Sequence, residues 1–220
     1  VKIYPALLSD SRSELQRQLD LIGQQCSSEL VSLVQVDVID GKFADNVTLT
    51  PSDLPDLNWG DLQLDIHLMV EEPLDYVYEL IDVKNQLPIR GVIAQVERMT
   101  NRDLFLEEVE KNGWLPGLSL DLFTPVDELE TQVPHYLKII QIMAIEAGFQ
   151  GETFKPVALE KIKTLKPLAN QLGLELIVDG GVNQASIGQI AAAGANAVAV
   201  GSALWQSASI SDTIESLTKA

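Results

Sequence analysis

The chain has 220 residues, 46% of them hydrophobic and 21% charged, a globular composition with enough apolar material for a sizeable core. Lys and Arg total 15 against 32 Asp and Glu, and the net charge of −17 excludes a surface built for nucleic acid or anionic membranes. Cys26 is the only cysteine and no apolar run reaches the length of a membrane span, which excludes an intrachain disulfide and a cysteine-based zinc site and leads us to expect a cytoplasmic protein without membrane partners.

In chain order, Lys2–Leu8 reads as a strand, and Ser11–Gln25 opens on a serine and keeps the apolar stripe of a helix. Val31–Asp40 is a β-branched strand that stops at Gly41, and Pro51–Leu57 is too short and proline-bearing for a firm helix. The strand Leu62–Val70, the helix Leu74–Val83, the strand Gly91–Glu97 and the mixed-charge helix Arg102–Lys111 follow. Next come the strand Gly117–Leu122, the helical segment Pro125–Val133, the strand Leu137–Ile145 and the helix Pro156–Leu172. The strand Glu175–Val182, the helix Ala185–Ala193, the strand Ala195–Leu204 and the helix Ile210–Leu217 complete the chain. Eight strands alternating with helical segments, at about 27 residues per unit, predict one (β/α)8 TIM barrel over residues 1–220 as a single domain. A doubly wound open sheet is the alternative, but the first strand lacks a Gly-rich dinucleotide turn.

In such a barrel the active site lies at the C-terminal ends of the strands, so polar residues there carry the functional signal. The second strand, VQVDVIDG, puts Gln35 and Asp37 on one face, where a barrel strand should be apolar. The third strand aligns Asp65, His67 and Met69, the fourth Gln95 and Glu97. The fifth strand ends in Asp121, the sixth in Glu146 and the seventh in Asp179. A lone Asp of this kind is equally well explained by hydrogen bonds to loop N–H groups at the barrel mouth. Two Asp, a His and a Gln at converging ends favour function, since an unpaired carboxylate in a dry barrel is costly. One His and two Asp also suit a divalent cation. The glycines of Asp179-Gly180-Gly181 and the pair Gly201-Ser202 follow strands seven and eight, where barrels often hold phosphate, and backbone N–H groups can do so despite the global charge.

These residues together make the chain resemble the ribulose-phosphate 3-epimerases. The stretches that carry the resemblance are KIYPALLS, VDVIDGKF with DNVTLTP, DIHLMVEEP, AGFQGETF, IVDGGVN and AGANAVAVGSALW, in order over nearly the whole chain. The resemblance implies a barrel of the ribulose-phosphate-binding type that inverts a hydroxyl-bearing carbon beside the ketone of a sugar phosphate. It implies that Asp37 and Asp179 transfer the proton and that a divalent metal (zinc, manganese, iron or magnesium) stabilises the enediolate. His67, Asp37 and Asp179 match family metal ligands, and Met69 matches a methionine lining the substrate site. Gly148, Gly151, Gly180, Gly181, Gly201 and Ser202 match the phosphate cradle. The partner implied is a phosphorylated sugar, and a homo-oligomer is compatible with the resemblance.

The chain departs from the family at the mouth. Gln35 stands where the other metal His is usual, Ala6 where a Ser contacts substrate, and Gln95 where a strand-four His is common. Asp121-Leu122-Phe123 replaces Asn-Pro-Gly, Glu146-Ala147 replaces Asn-Pro, and Gln150 replaces a glycine. An amide oxygen at Gln35 favours magnesium or manganese over zinc, or leaves the site without metal. Glu146 would repel a phosphate it faced, and Phe123 would narrow the mouth. A non-catalytic or substrate-shifted relative that binds a phosphorylated small molecule is the second reading. A decarboxylase or Schiff-base aldolase is weaker: VDVIDG has no Lys, and Lys138 lies early in its strand.

Overall fold

Each strand pairs in parallel with the next in sequence, and the last pairs with the first, so the sheet closes on itself. The computed structural model describes residues 1–130, 136–148 and 151–220. The strands are β1 (Lys2–Leu7), β2 (Leu33–Ile39), β3 (Gln63–Met69), β4 (Ile89–Gln95), β5 (Leu115–Leu120), β6 (Ile139–Met143), β7 (Glu175–Asp179) and β8 (Ala197–Val200). The helices are α1 (Arg12–Gln25), α2 (Pro73–Val83), α3 (Arg102–Lys111), α4 (Asp127–Glu130), α5 (Val157–Leu172), α6 (Ile187–Ala193), α7 (Ser202–Trp205) and α8 (Ile210–Lys219). This is a single (β/α)8 TIM barrel. Among the described residues no helix is long and apolar enough to cross a membrane.

Local chemistry sets the helix starts. Ser11, Asn101 and Ser209 each accept a hydrogen bond from a backbone N–H in the first turn of α1, α3 and α8. The proline-bearing segment after β2 forms only a 3-10 turn, Pro51–Asp56, as its composition predicts. The main apolar core lies between the strands and the helices, with Leu7, Val34, Val36, Val38, Phe105 and Leu165 buried in it. A second, smaller cluster of Tyr4, Leu33, Ile93, Ile139, Ile177 and Ala197 fills the barrel interior.

Several strand ends differ from expectation. β4 stops at Gln95 and the chain turns through Val96–Arg98, so Glu97 leaves the face it would have shared with Gln95 and is exposed. Its Oε1 instead accepts from the Asp121 N–H at 2.8 Å, bracing the end of β5. β5 begins earlier than predicted, at Leu115, and β8 is only Ala197–Val200 before the chain enters α7. Of the predicted helical segment Pro125–Val133, α4 covers Asp127–Glu130, and 131–133 lie outside the described residues.

Asp65 shares a face with His67 but serves the opposite end of the barrel. The register shifts between Leu64 and Asp65, and Arg90 pairs bidentately with Asp65 through Nε at 2.9 Å and a second nitrogen. Arg90 also reaches Glu175 Oε2 at 3.0 Å, and Tyr4 donates to Glu175 Oε1 at 2.6 Å. Burial opposes the charge on Arg90, yet Asp65 and Glu175 outweigh it and raise its pKa. Burial also acts to raise Glu175, but Tyr4, Arg90 and Lys2 hold it below its ordinary range. Gly91 leaves room for this plug, since a Cβ there would stand 2.9 Å from Asp65 Oδ1. Replacing Arg90 by Met strands the buried Asp65 and is expected to lower unfolding stability by about 3–5 kcal/mol, measured by urea denaturation at neutral pH.

Candidate active site

Strand alternation brings a second set of polar side chains into the barrel interior. Gln35, Asp37, His67, Gln95, Ser119, Gln141 and Asp179 are all buried. The register sets Asp37 beside His67 across β2 and β3, and Asp179 between Met143 and Ala199 across β6, β7 and β8. The loop after β2 fixes the first carboxylate's strand end. Thr48 Oγ1 donates to the Asp37 carbonyl at 2.9 Å and accepts from the Ile39 N–H at 2.9 Å. The DNVTLTP stretch thereby acts as a clasp on β2.

His67 is the hub. Its Nδ1 lies 3.0 Å from Asp37 Oδ1 and 3.6 Å from Asp179 Oδ2, and its Nε2 lies 3.1 Å from the Gln95 amide nitrogen. Gln35 Nε2 bridges the two carboxylates, donating to Asp37 Oδ1 at 2.8 Å and to Asp179 Oδ2 at 2.6 Å. Among the described residues the ion pairs of Asp37 and Asp179 are with His67 alone. Burial first, and then the charge of Asp37, pushes the Asp179 carboxyl up to about 7. The acid pair thus shares a site where holding two negative charges is unfavourable.

The donor set fits a divalent cation. One atom each of Asp37, His67 and Asp179 lies within 4.8 Å of the others, and all three residues are buried. Two carboxylate oxygens and one imidazole nitrogen are hard to borderline donors, and a cation among them would neutralise the acid pair. The predicted ligands Asp37, His67 and Asp179 are therefore together, with Gln35 in their midst.

Above them opens a cavity of about 470 Å³, part of it open to solvent. Asp37 and Asp179 lie on its lining with Met69, Met143, Ile145 and Val182. Its remaining wall includes the predicted cradle residues Gly148, Gly151, Gly180, Gly181, Gly201 and Ser202, together with Ala6. Gly180 and Gly181 have φ of 106° and 66°, a conformation that favours glycine. A Cβ on Gly181 would lie 2.2 Å from the Phe154 nitrogen, and one on Gly180 would lie 2.4 Å from Ile145 Cγ1. The Asn46 side chain donates to the Gly148 carbonyl at 2.7 Å, tying the β2 loop to the β6 loop.

One expectation about the mouth is corrected, and a conditional one is decided. Phe123 is 72% exposed and does not line the cavity, so it does not narrow it. Glu146 is exposed and lines an outer acidic depression with Glu97 and Asp121, away from the glycine wall. Gln150 lies outside the described residues. Lys138 is exposed, in keeping with the absence of an inward strand lysine. Sequence reading missed Gln141, whose Nε2 lies 3.1 Å from both His67 Nδ1 and Asp179 Oδ2. The alternation in Ile139-Ile140-Gln141-Ile142-Met143 carried that signal, since a lone amide in an apolar strand shares a face with Met143. It also missed Lys161, whose Nζ donates to the Asp121 carbonyl at 2.6 Å and ties α5 to the end of β5.

Comparison with known proteins matches residues 2–205 to the model of the ribulose-phosphate 3 epimerase family. The cytoplasmic ribulose-phosphate 3-epimerase isoform of Oryza sativa subsp. japonica is 30% identical over 224 residues, covering 99% of this chain and 93% of the relative. The ribulose-phosphate 3-epimerase of Bacillus subtilis is 32% identical over 212 residues, covering 93% of this chain and 92% of the relative. Among solved structures, a mutant tryptophan synthase α-subunit of Pyrococcus furiosus superposes with a TM-score of 0.71 at 15% identity, covering 100% of this chain and 98% of that one, which shows a shared barrel fold.

Gly181→Ala forces a side chain into both an unfavourable backbone region and the Phe154 backbone. It is expected to cost at least about 1–3 kcal/mol of stability, read by denaturant unfolding.

Proposed function

The chain belongs to the ribulose-phosphate 3-epimerase family, and from that premise we propose that it is a carbohydrate-phosphate epimerase interconverting ribulose 5-phosphate and xylulose 5-phosphate. The observation that carries the proposal is the pair of buried carboxylates, Asp37 and Asp179, converging on His67 at the lining of a glycine-walled cavity.

Inverting a carbon next to a ketone requires removal of its proton from one face and return of a proton to the other. Asp37 on β2 and Asp179 on β7 are separated around the ring by β1 and β8, so they address the cavity from different sides. Asp37 Oδ removes the proton. Asp179, whose carboxyl is raised by burial and by the charge of Asp37, delivers a proton from the other side. In the reverse direction the two exchange roles. His67 keeps both carboxylates aimed at the reacting carbon. Asp37, His67 and Asp179, with Gln35 beside them, would hold a divalent cation, which would supply positive charge against the negative charge that develops on the substrate oxygens. Met69, Met143, Ile145 and Val182 keep water from the carbanion. Gly180, Gly181, Gly201 and Ser202 give the phosphate close backbone approach, with Gly148 and Gly151 closing the cradle, and the exposed Glu146 does not oppose it. The lone Cys26 and the cytoplasmic rice relative support a cytoplasmic setting.

Asp37→Asn and Asp179→Asn are each expected to lower kcat by about 10²–10⁴-fold while the barrel stays folded, in an assay that couples xylulose 5-phosphate formation to a reporter enzyme. Unchanged turnover in Asp37→Asn would overturn the acid–base assignment. An amide in place of an imidazole lowers the preference for zinc, so magnesium or manganese should restore metal-stripped protein better than zinc. Gln35→His should tighten zinc binding by about 10–100-fold, read by competition with a zinc indicator.

A further inference from the structure

Resting on the same site, we propose that Gln141 is a further cation ligand, and that the amides of Gln35, Gln95 and Gln141 turn over together when the cation enters. In the structure all three present their nitrogen to the centre. Gln35 Nε2 and Gln141 Nε2 both donate to Asp179 Oδ2, at 2.6 and 3.1 Å. Their Oε1 atoms, and that of Gln95, are buried without a hydrogen-bond partner among the described residues. Three orphaned amide oxygens around one histidine are unusual, because buried acceptors are nearly always paired.

A single change satisfies all three. With a cation between Asp37, His67 and Asp179, the carboxylates no longer need N–H donors, and the Gln35 and Gln141 oxygens become ligands when each amide rotates by half a turn. His67 Nδ1 is then bared for the cation, so its proton sits on Nε2 and donates to the Gln95 oxygen, completing the ring. The spacing suits this. The amide ends of Gln35 and Gln141 lie 2.6–3.4 Å from their neighbours Asp37, His67 and Asp179. Such spacing is near the roughly 3 Å edge of an octahedron with bonds of about 2.1 Å. The resulting donor set is four oxygens and one imidazole nitrogen, in which two amides stand in for one missing imidazole. Gln35 joins the two acids by hydrogen bonds and Gln141 meets it at Asp179, so the same amides serve the acid pair by hydrogen bonding as well as by coordination.

Mn²⁺ affinity, measured by electron paramagnetic resonance titration of wild type, Gln141→Leu and Gln141→Glu, tests this without reference to activity. Gln141→Leu should weaken Mn²⁺ binding by about 10–100-fold, and Gln141→Glu, which keeps an oxygen, should restore it. Affinity within about twofold of wild type in folded Gln141→Leu would overturn the proposal. Should the Leu variant fail to fold, a crystal structure of the wild-type Mn²⁺ form decides: Gln141 Oε1 bonded to the ion supports it, and an amide still turned nitrogen-inward refutes it. Turnover of ribulose 5-phosphate in the same preparations separates the claims. An active enzyme whose Mn²⁺ affinity ignores Gln141 overturns the ligand alone. Gln141-dependent binding in a protein that turns over no ketose phosphate supports the ligand and overturns the catalytic reading.

Discussion

The structure depends on how a closed barrel accommodates buried carboxylates. Leaving an isolated ionised carboxylate in an apolar interior is prohibitive, so each must find a partner or keep its proton. The barrel contains two such acid pairs and treats them differently. At the N-terminal end of the strands, Asp65 and Glu175 are neutralised by the chain's own Arg90 and Lys2, with Tyr4 completing the hydrogen bonds. At the C-terminal end, Asp37 and Asp179 receive, among the described residues, glutamine amides, one imidazole and the Gly180 backbone N–H. The first pair is a finished structural plug. The second is held in an arrangement that a proton or an external cation completes, and this is the property a proton-transfer centre needs.

That difference also organises the surroundings. The closed end has Gly91 making room for the plug and an apolar layer of Leu33, Ile93, Ile139 and Ile177 above it. That layer insulates the ionic network from the mouth. The open end has glycines where the chain approaches the cavity, and the positive φ values of Gly148, Gly151, Gly180 and Gly181 leave no alternative residue without strain.

The period-two alternation along the strands is why so much was legible in the sequence. Gln35 and Asp37 in VQVDVIDG, and His67 two residues beyond Asp65, could face only inward once the segments were read as barrel strands. The two-residue spacing cannot say which end of the barrel a side chain serves. Asp65 therefore looked like a companion of His67, although the register shift and Arg90 draw it to the other end. Glu97 was misplaced because β4 yields to a turn after Gln95, a change that a continuing apolar–polar pattern conceals. Phe123 and Glu146 sit on loops, where no periodicity fixes a direction, and both turn outward. Gln141 was overlooked because one amide among isoleucines resembles a tolerated exception until its neighbours across the barrel are known.

The proposed mechanism requires Asp37 and Asp179 to exchange a proton with the carbon beside the substrate ketone. Incubating the cation-loaded protein with ribulose 5-phosphate in heavy water and following that carbon by proton NMR tests it most directly. Loss of the carbon's proton signal is expected, with one solvent-derived deuterium in both ribulose and xylulose 5-phosphate. Retention of that proton with magnesium, manganese, zinc and iron each supplied would contradict it.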